Sequence, residues 1–178
     1  AAHVDSPRMD LKPNPLYEDS EIAYFKTHYY GGIKKYQWVT VPLALHGVVC
    51  RKDGSRVTVT IGEDENDPVL MVSDLLPHLA ADQMQRTAGK VIAGEQLNVI
   101  LGTEPLEGEG SDLVKLNALK WLNEKYGLVE EDFLSAELTI VPAGRCREVG
   151  FDRSLISAYG HDDRVCAYAE LEALFTIP

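Results

Sequence analysis

Two alternating β-type segments on either side of a tight turn constrain the fold of this chain most strongly. Residues 39–50 read VTVPLALHGVVC and residues 56–61 read RVTVTI, and in both segments apolar side chains alternate with others. A period of two is typical of half-buried strands. Lys52-Asp53-Gly54, between them, is a turn signal. The sequence therefore predicts a β-hairpin and an antiparallel sheet.

Composition and charge narrow the class of protein. The 178 residues are 45% hydrophobic and 25% charged, which is ordinary for a soluble globular protein. The net charge is −11 and the chain has no basic stripe, so we expect no nucleic-acid partner. It has no apolar run of about 18 residues, so we expect no membrane span.

The three cysteines bear on the compartment. Cys50, Cys146 and Cys166 are odd in number and widely spaced. They match neither a disulfide framework nor a paired-cysteine zinc site. A reducing, cytoplasmic location is the expectation.

The first stretch of the chain, AAHVDSPRMDLKPNPLYE, contains a candidate site. His3 and Asp5 are two residues apart, so an extended strand would place both on one face. Such a pair can supply a metal ligand and the carboxylate that fixes its tautomer. A buried structural His–Asp pair is the alternative, and spacing alone leaves it open. The prolines that follow predict that this first strand gives way to an irregular segment: Pro7, Pro13 and Pro15.

The clearest helix is predicted from residue 112 to residue 126. Its leucines recur at helical spacing, Ser111 or Asp112 can cap its start, and Gly127 can end it. A shorter helix is expected within residues 75–84, where His78 has an ordinary structural role as its default interpretation.

A second candidate site precedes the last apolar helix. Gly160 is followed by His161, Asp162, Asp163 and Arg164. One aspartate is explained as a carboxylate at a helix N-terminus. Two adjacent aspartates beside a histidine and an arginine exceed that need, so one carboxylate could bridge two metal ions. Spacing leaves both interpretations open.

Three motifs in order resemble one known family. AAHVDSPRMDLKPNPLYE, KTHYYGGIKKYQW and SAYGHDDRVCAY closely resemble the aspartyl aminopeptidase / aminopeptidase I family of zinc metallopeptidases. The resemblance implies that His3 ligates zinc, that Asp5 orients the site and that Asp162 bridges two zinc ions. Asp162 is preferred to Asp163 because it keeps the family's spacing to the helix.

The resemblance also implies a reaction and further active-site residues that this sequence does not include. The expected reaction is the removal of N-terminal residues from peptides, with two zinc ions per active site. The family further needs a pair of glutamates, another carboxylate ligand and a late histidine, all after the GHDDR motif. We therefore expect this chain to be an incomplete fragment that is inactive alone.

The implied fold is α+β in three parts. Residues 1–12 would be a strand of an α/β peptidase domain, residues 13–150 an inserted β-rich dimerisation domain, and residues 151–178 the return segment and helix. The family resemblance implies a homo-oligomer, a dimer or a dodecamer, in which His78 reaches the partner's active site. Five aromatic residues are expected to contribute to the apolar assembly surface: Tyr24, Phe25, Tyr29, Tyr30 and Trp38.

Two other functions stay open at this point. The first is a non-catalytic oligomerisation module. The second is a small-ligand binding domain, for which the support is the aromatic loop around Gly31-Gly32.

Overall fold

The computed structural model describes residues 2–177 and is organised around one antiparallel sheet. The sheet has six strands in the order β4-β3-β6-β1-β2-β5. These strands are β1 (Arg8–Asp19), β2 (Ile22–Tyr30), β3 (Leu43–Cys50), β4 (Arg56–Ile61), β5 (Val99–Gly102) and β6 (Ala136–Pro142). The predicted α+β class is confirmed.

A small hairpin and the helices lie outside this sheet. The hairpin consists of β7 (Arg147–Val149) and β8 (Leu155–Ser157), and the α-helices are α1 (Ala81–Met84), α2 (Leu113–Tyr126) and α3 (His161–Thr176). Short 3-10 helices occur at Lys35–Gln37, Pro77–Leu79, Gly94–Gln96 and Glu130–Ser135. Within residues 2–177, no helix has the length and apolar character needed to cross a membrane.

The predicted hairpin of β3 and β4 is confirmed. The two strands pair antiparallel from Leu45 opposite Ile61 to Cys50 opposite Arg56. β3 starts after Pro42 rather than at Val39, since proline has no N–H to donate to a ladder. On its other side β3 pairs with β6.

The beginning of the chain differs from the expectation. Residues 2–7 form no strand, so His3 and Asp5 lie in an irregular extended segment. β1 begins only at Arg8, and it runs to Asp19 without the predicted break. It is a central strand, with β2 on one side and β6 on the other.

The prolines of β1 are accommodated by an irregularity in its pairing. The register between β1 and β2 shifts between Leu11 and Leu16, and Pro13 and Pro15 lie in that interval. A bulge leaves residues out of the ladder, so a missing N–H costs little there. β1 also runs across the boundary placed between residues 12 and 13, and that domain boundary stays a prediction.

The core lies between the sheet, α2 and the turn that precedes β6. Phe25 of β2 packs edge-on against Phe133, with ring centroids 5.5 Å apart. Leu122 of α2 is buried in the same cluster. The expectation of an aromatic assembly surface is wrong for Phe25 and Trp38, because both are buried in this core.

Candidate functional site

The two segments that carry the candidate site lie against each other. His3 belongs to the extended segment before β1, and Asp163 to the first turn of α3 near the other end of the chain. The Nδ1 atom of His3 lies 3.0 Å from Oδ2 of Asp163. A carboxylate on Nδ1 fixes the orientation of the ring and leaves Nε2 available to a metal ion.

Asp162 and Asp163 lie in different surroundings although they are adjacent. Asp162 is exposed and Asp163 is half-buried against His3. Neither has helical backbone angles: Asp162 has φ −86° and ψ 110°, and Asp163 has φ −120° and ψ 32°. Because the backbone is irregular here, the two side chains do not follow helical directions. One carboxylate contacts the histidine while its neighbour stays accessible.

Asp5 is held by an aromatic residue of β2. The Tyr30 hydroxyl donates to Oδ2 of Asp5 at 3.1 Å. The Arg8 guanidinium lies 4.2 Å from the centre of the Tyr30 ring, and its Nε donates to Asp10 at 2.8 Å. Burial opposes the charge of Arg8, but the hydrogen bond and charge of Asp10 leave its pKa raised. Asp5 pairs with Tyr30, and the carboxylate that contacts His3 is that of Asp163. The orienting role of Asp5 stays a prediction.

A second set of contacts joins the start of the chain to the α3 region. Nη1 of Arg164 donates to Oγ of Ser6, and the Tyr159 hydroxyl donates to the carbonyl oxygen of Pro7 at 2.8 Å. Burial raises the pKa of the Tyr159 phenol, and the positive charges of Arg164 and Arg8 act against that rise. The segment from His3 to Pro7 therefore contacts residues 159–164 at three points.

His78 is solvent-exposed, in the 3-10 helix Pro77–Leu79. Several large apolar side chains near it in sequence are also exposed, by 52% to 70%: Leu75, Leu76, Leu79 and Met84. This placement agrees with a histidine that points away from its own subunit. Its catalytic role stays a prediction.

The described residues offer the donor types that zinc prefers, but too few of them. Imidazole and carboxylate groups are common zinc ligands. Within residues 2–177, however, no group of three or more His, Cys, Asp or Glu side chains is placed to hold a metal ion. His3 and Asp162 therefore fit a zinc site only as part of a ligand set.

Gly31, in the Gly31-Gly32 loop, packs closely against Pro7. A Cβ on Gly31 would lie 3.3 Å from Cβ of Pro7, and Gly31 has φ +78°, which favours glycine. A cavity of about 420 Å³ lies elsewhere, between α2 and the sheet, where Phe25 and Trp121 are among its lining residues. Neither glycine lines this cavity, and a small-ligand role for the loop stays a prediction.

Sequence reasoning did not find the Asp163 contact with His3 or the pairing of Ser6 with Arg164. The sequence offered one signal for the second pairing, in the residues that directly follow the two motifs. A serine follows the HxD pattern directly, and an arginine follows the two aspartates directly. Their pairing depends on how the two ends of the chain meet, which local patterns do not encode.

Comparison with known proteins identifies the family. The sequence model of the family described as Aminopeptidase I zinc metalloprotease (M18) matches residues 1–177. The chain belongs to this family of zinc metalloproteases. The resemblance drawn from its three motifs is thereby confirmed.

Relatives described as probable M18 family aminopeptidases are similar over nearly the whole chain. A probable M18 family aminopeptidase 1 of Clostridium acetobutylicum is 62% identical over 174 residues, which cover 97% of this chain and 37% of the relative. The corresponding protein of Thermotoga maritima is 56% identical over 175 residues, which cover 98% of this chain and 38% of the relative. The chain thus spans less than two fifths of the length of these relatives.

Solved structures have the same fold. The M18 aminopeptidase of Thermotoga maritima superimposes with a TM-score of 0.92 at 55% identity, covering 99% of this chain and 39% of that one. Aminopeptidase I of Clostridium acetobutylicum gives 0.89 at 59% identity, with the same coverage. The mApe1 dodecamer of S. cerevisiae, at 19% identity and a TM-score of 0.62, shares the fold and covers 97% of this chain and 37% of that one.

Proposed function

We propose that this chain is part of a zinc-dependent aminopeptidase that removes N-terminal residues from peptides by two-metal hydrolysis. The observation that carries the proposal is the 3.0 Å contact between His3 and Asp163, which joins two distant motifs in one site. Membership of the M18 family supplies the reaction class. Because the chain spans about two fifths of its relatives' length, we expect the other ligands in the part that it does not cover.

Each site residue has a proposed role that follows from its surroundings. His3 and Asp162 would hold the zinc ions, and Asp162 is suited to contact more than one ion because it is exposed and a carboxylate has two oxygens. Asp163 holds the His3 ring through Nδ1. Asp5, fixed by Tyr30, orients the site. When bound, the two zinc ions would lower the pKa of a water molecule and polarise the scissile carbonyl.

The substrate class follows from the charge of these groups. The α-amine of a peptide is positively charged at neutral pH. Asp5 is an exposed carboxylate at the site that is not one of the proposed metal ligands, and an ammonium group is attracted to it. A substrate with a free N-terminus is therefore favoured over one with a blocked N-terminus.

The test of this function uses the full-length protein loaded with zinc, cobalt or manganese, with an aminoacyl-nitroanilide as substrate. His3→Ala and Asp162→Asn should each lower kcat/KM by orders of magnitude, since both would remove metal ligands. His46→Gln is a matched control, because His46 pairs with Glu63 at 2.8 Å on the β3–β4 hairpin. Rates like those of the wild type in either ligand variant would refute the assignment.

Residues 1–178 alone have a second candidate role, as an oligomerisation module without catalysis. The supporting observation is the set of exposed apolar side chains close to His78 in sequence, because apolar side chains that together form an exposed patch usually mark an interaction site. One protein with this fold is described as a dodecamer. In the proposed assembly the subunits are identical, and His78 reaches the site of the partner.

Measurements of turnover and self-association on the isolated chain distinguish the two roles. It should show no aminopeptidase turnover, because its described residues provide an incomplete ligand set. It should nevertheless self-associate. Turnover by the isolated chain would contradict the proposal that it is catalytically incomplete. The cytoplasmic location also stays a prediction.

A further inference from the structure

The hydrogen bond between Arg164 and Ser6 spans the two halves of the candidate site. Arg164 follows Asp163 directly, and Ser6 follows Asp5 directly. Nη1 of Arg164 donates to Oγ of Ser6, a charge-assisted bond of the stronger kind. The bond thus connects the segment that carries His3 to the turn that carries Asp162.

Ser6 is enclosed, unlike the site residues that precede it in the chain. It is only 5% exposed, whereas His3 and Asp5 are both exposed. A buried hydroxyl is costly unless it has a partner. Arg164 supplies that partner, so the contact fixes the backbone between Asp5 and the start of β1.

Gly160 makes room for the arginine. Its φ is +99°, and a Cβ built there would lie 2.7 Å from Nη1 of Arg164 and 3.8 Å from Oγ of Ser6. A side chain at this position would strain the backbone and also displace the guanidinium. The glycine that precedes α3 is therefore matched to the Arg164–Ser6 contact as well as to the helix start.

Tyr159 adds a second tie next to the first. Its hydroxyl donates to the carbonyl oxygen of Pro7 at 2.8 Å. Pro7 is the residue after Ser6, so two successive residues of the N-terminal segment are bonded to residues 159–164. Two hydrogen bonds from one short segment restrict its rotation as well as its separation from residues 159–164. A single hydrogen bond would restrict mainly the separation.

We infer that Arg164 and Ser6 are positioning residues for the metal site. Their hydrogen bond sets the distance between the His3 segment and the Asp162-Asp163 turn, so that ligands from both can bind the same pair of ions. This inference rests on the proposed zinc site. Outer contacts that orient ligands typically contribute about 10- to 100-fold in metal affinity.

The experiment measures zinc affinity in the full-length protein by competition with a chromogenic chelator. Ser6→Ala and Arg164→Ala should each lower the affinity by about 10-fold or more. The double variant should be no weaker than the weaker single variant, because both changes break the same bond. Arg164→Lys keeps a donor and should recover part of the loss. Arg145→Ala is the matched control, since Arg145 is exposed and lies 3.9 Å from Glu65.

Thermal unfolding of each zinc-free variant is measured as well. It shows whether a loss of zinc affinity comes from misplaced ligands or from a less stable protein. If Arg164→Ala does not fold, Ser6→Ala decides, since it removes only one hydroxyl. Affinity within about twofold of the wild type in the single variants, additive losses in the double variant, or a lysine variant as weak as the alanine variant would overturn the inference. A wild-type protein that neither binds zinc nor cleaves peptides would instead overturn the proposed function.

Discussion

The carboxylate of Glu18, at the end of β1, accepts a hydrogen bond from the backbone N–H of Val114 in the first turn of α2, at 2.9 Å. The same oxygen accepts the N–H of Lys115 at 2.9 Å. The free N–H groups of a helix start need acceptors, and a negative charge there also interacts favourably with the helix dipole. A strand residue thus caps a helix that is distant in sequence.

Glu18→Ala should therefore destabilise the chain. We expect a loss of about 1–2 kcal/mol in the free energy of unfolding, since two helix N–H groups lose a charged acceptor. Glu18→Gln should lose less, because it keeps an oxygen acceptor. Urea denaturation measures both, with Glu109→Ala in the exposed loop before α2 as the control. Equal stability of Glu18→Ala and the control would show that the cap contributes nothing.

Local sequence patterns predicted helix α2 but not the residue that caps it. The leucine spacing of α2 and its end at Gly127 were predictable, and Gly127 has the expected left-handed conformation with φ +66°. The expected cap was local, at Ser111 or Asp112. Asp112 has φ +57° and makes no capping side-chain bond, so the acceptor comes from β1 instead. Only the tertiary fold brings Glu18 there.

The pair of Asp67 and Lys125 should make stability depend on pH. Their side chains lie 2.7 Å apart, and Asp67 also accepts the N–H of Gly62 at 3.2 Å. The hydrogen bond from Lys125 is the main cause that holds the pKa of Asp67 below its ordinary value. A lowered folded-state pKa gives stability that is present above the unfolded-state pKa of about 3.9 and is lost as the pH falls through the folded-state value.

Asp67→Asn should accordingly lower the Tm at pH 7, and the difference from the wild type should shrink as the pH falls towards about 2. High salt should also reduce the difference at pH 7, because the pair is partly exposed. Scanning calorimetry over this pH range measures the effect. Asp82→Asn, at an exposed position on α1, serves as the control. A Tm difference that stays constant with pH would contradict the assigned cause.

The candidate site was predictable in part, for reasons that its residues make plain. The HxD and HDDR motifs pointed to His3 and to the aspartate pair, and the structure brings His3 and Asp163 together. The prediction that His3 and Asp5 lie in a strand is wrong, because β1 starts only at Arg8. Which aspartate contacts the histidine depends on non-helical backbone at the start of α3, which spacing does not reveal.

Zinc binding by the isolated chain should be weak. His3 and Asp162 supply two proposed ligands, and two ligands leave an ion mostly hydrated. Isothermal titration calorimetry with zinc should show low affinity, and His3→Ala should remove most of what remains. His46→Gln is again the control, because its partner is Glu63. Tight, stoichiometric binding would mean that residues 1–178 contain further ligands.

The isolated chain should also be at least a dimer at micromolar concentration. The surface around His78 exposes Leu79 by 67% and Met84 by 70%, and α3 exposes Leu171 by 49% and Leu174 by 63%. A two-fold interface on the first surface should bury on the order of 2,000 Å² in total. Light scattering should then report a monomer for Leu79→Asp/Met84→Asp and a dimer for Leu171→Asp/Leu174→Asp, because a buried charge without a partner is costly. The reverse pattern would place the interface on α3, and a monomeric wild type would contradict self-association altogether.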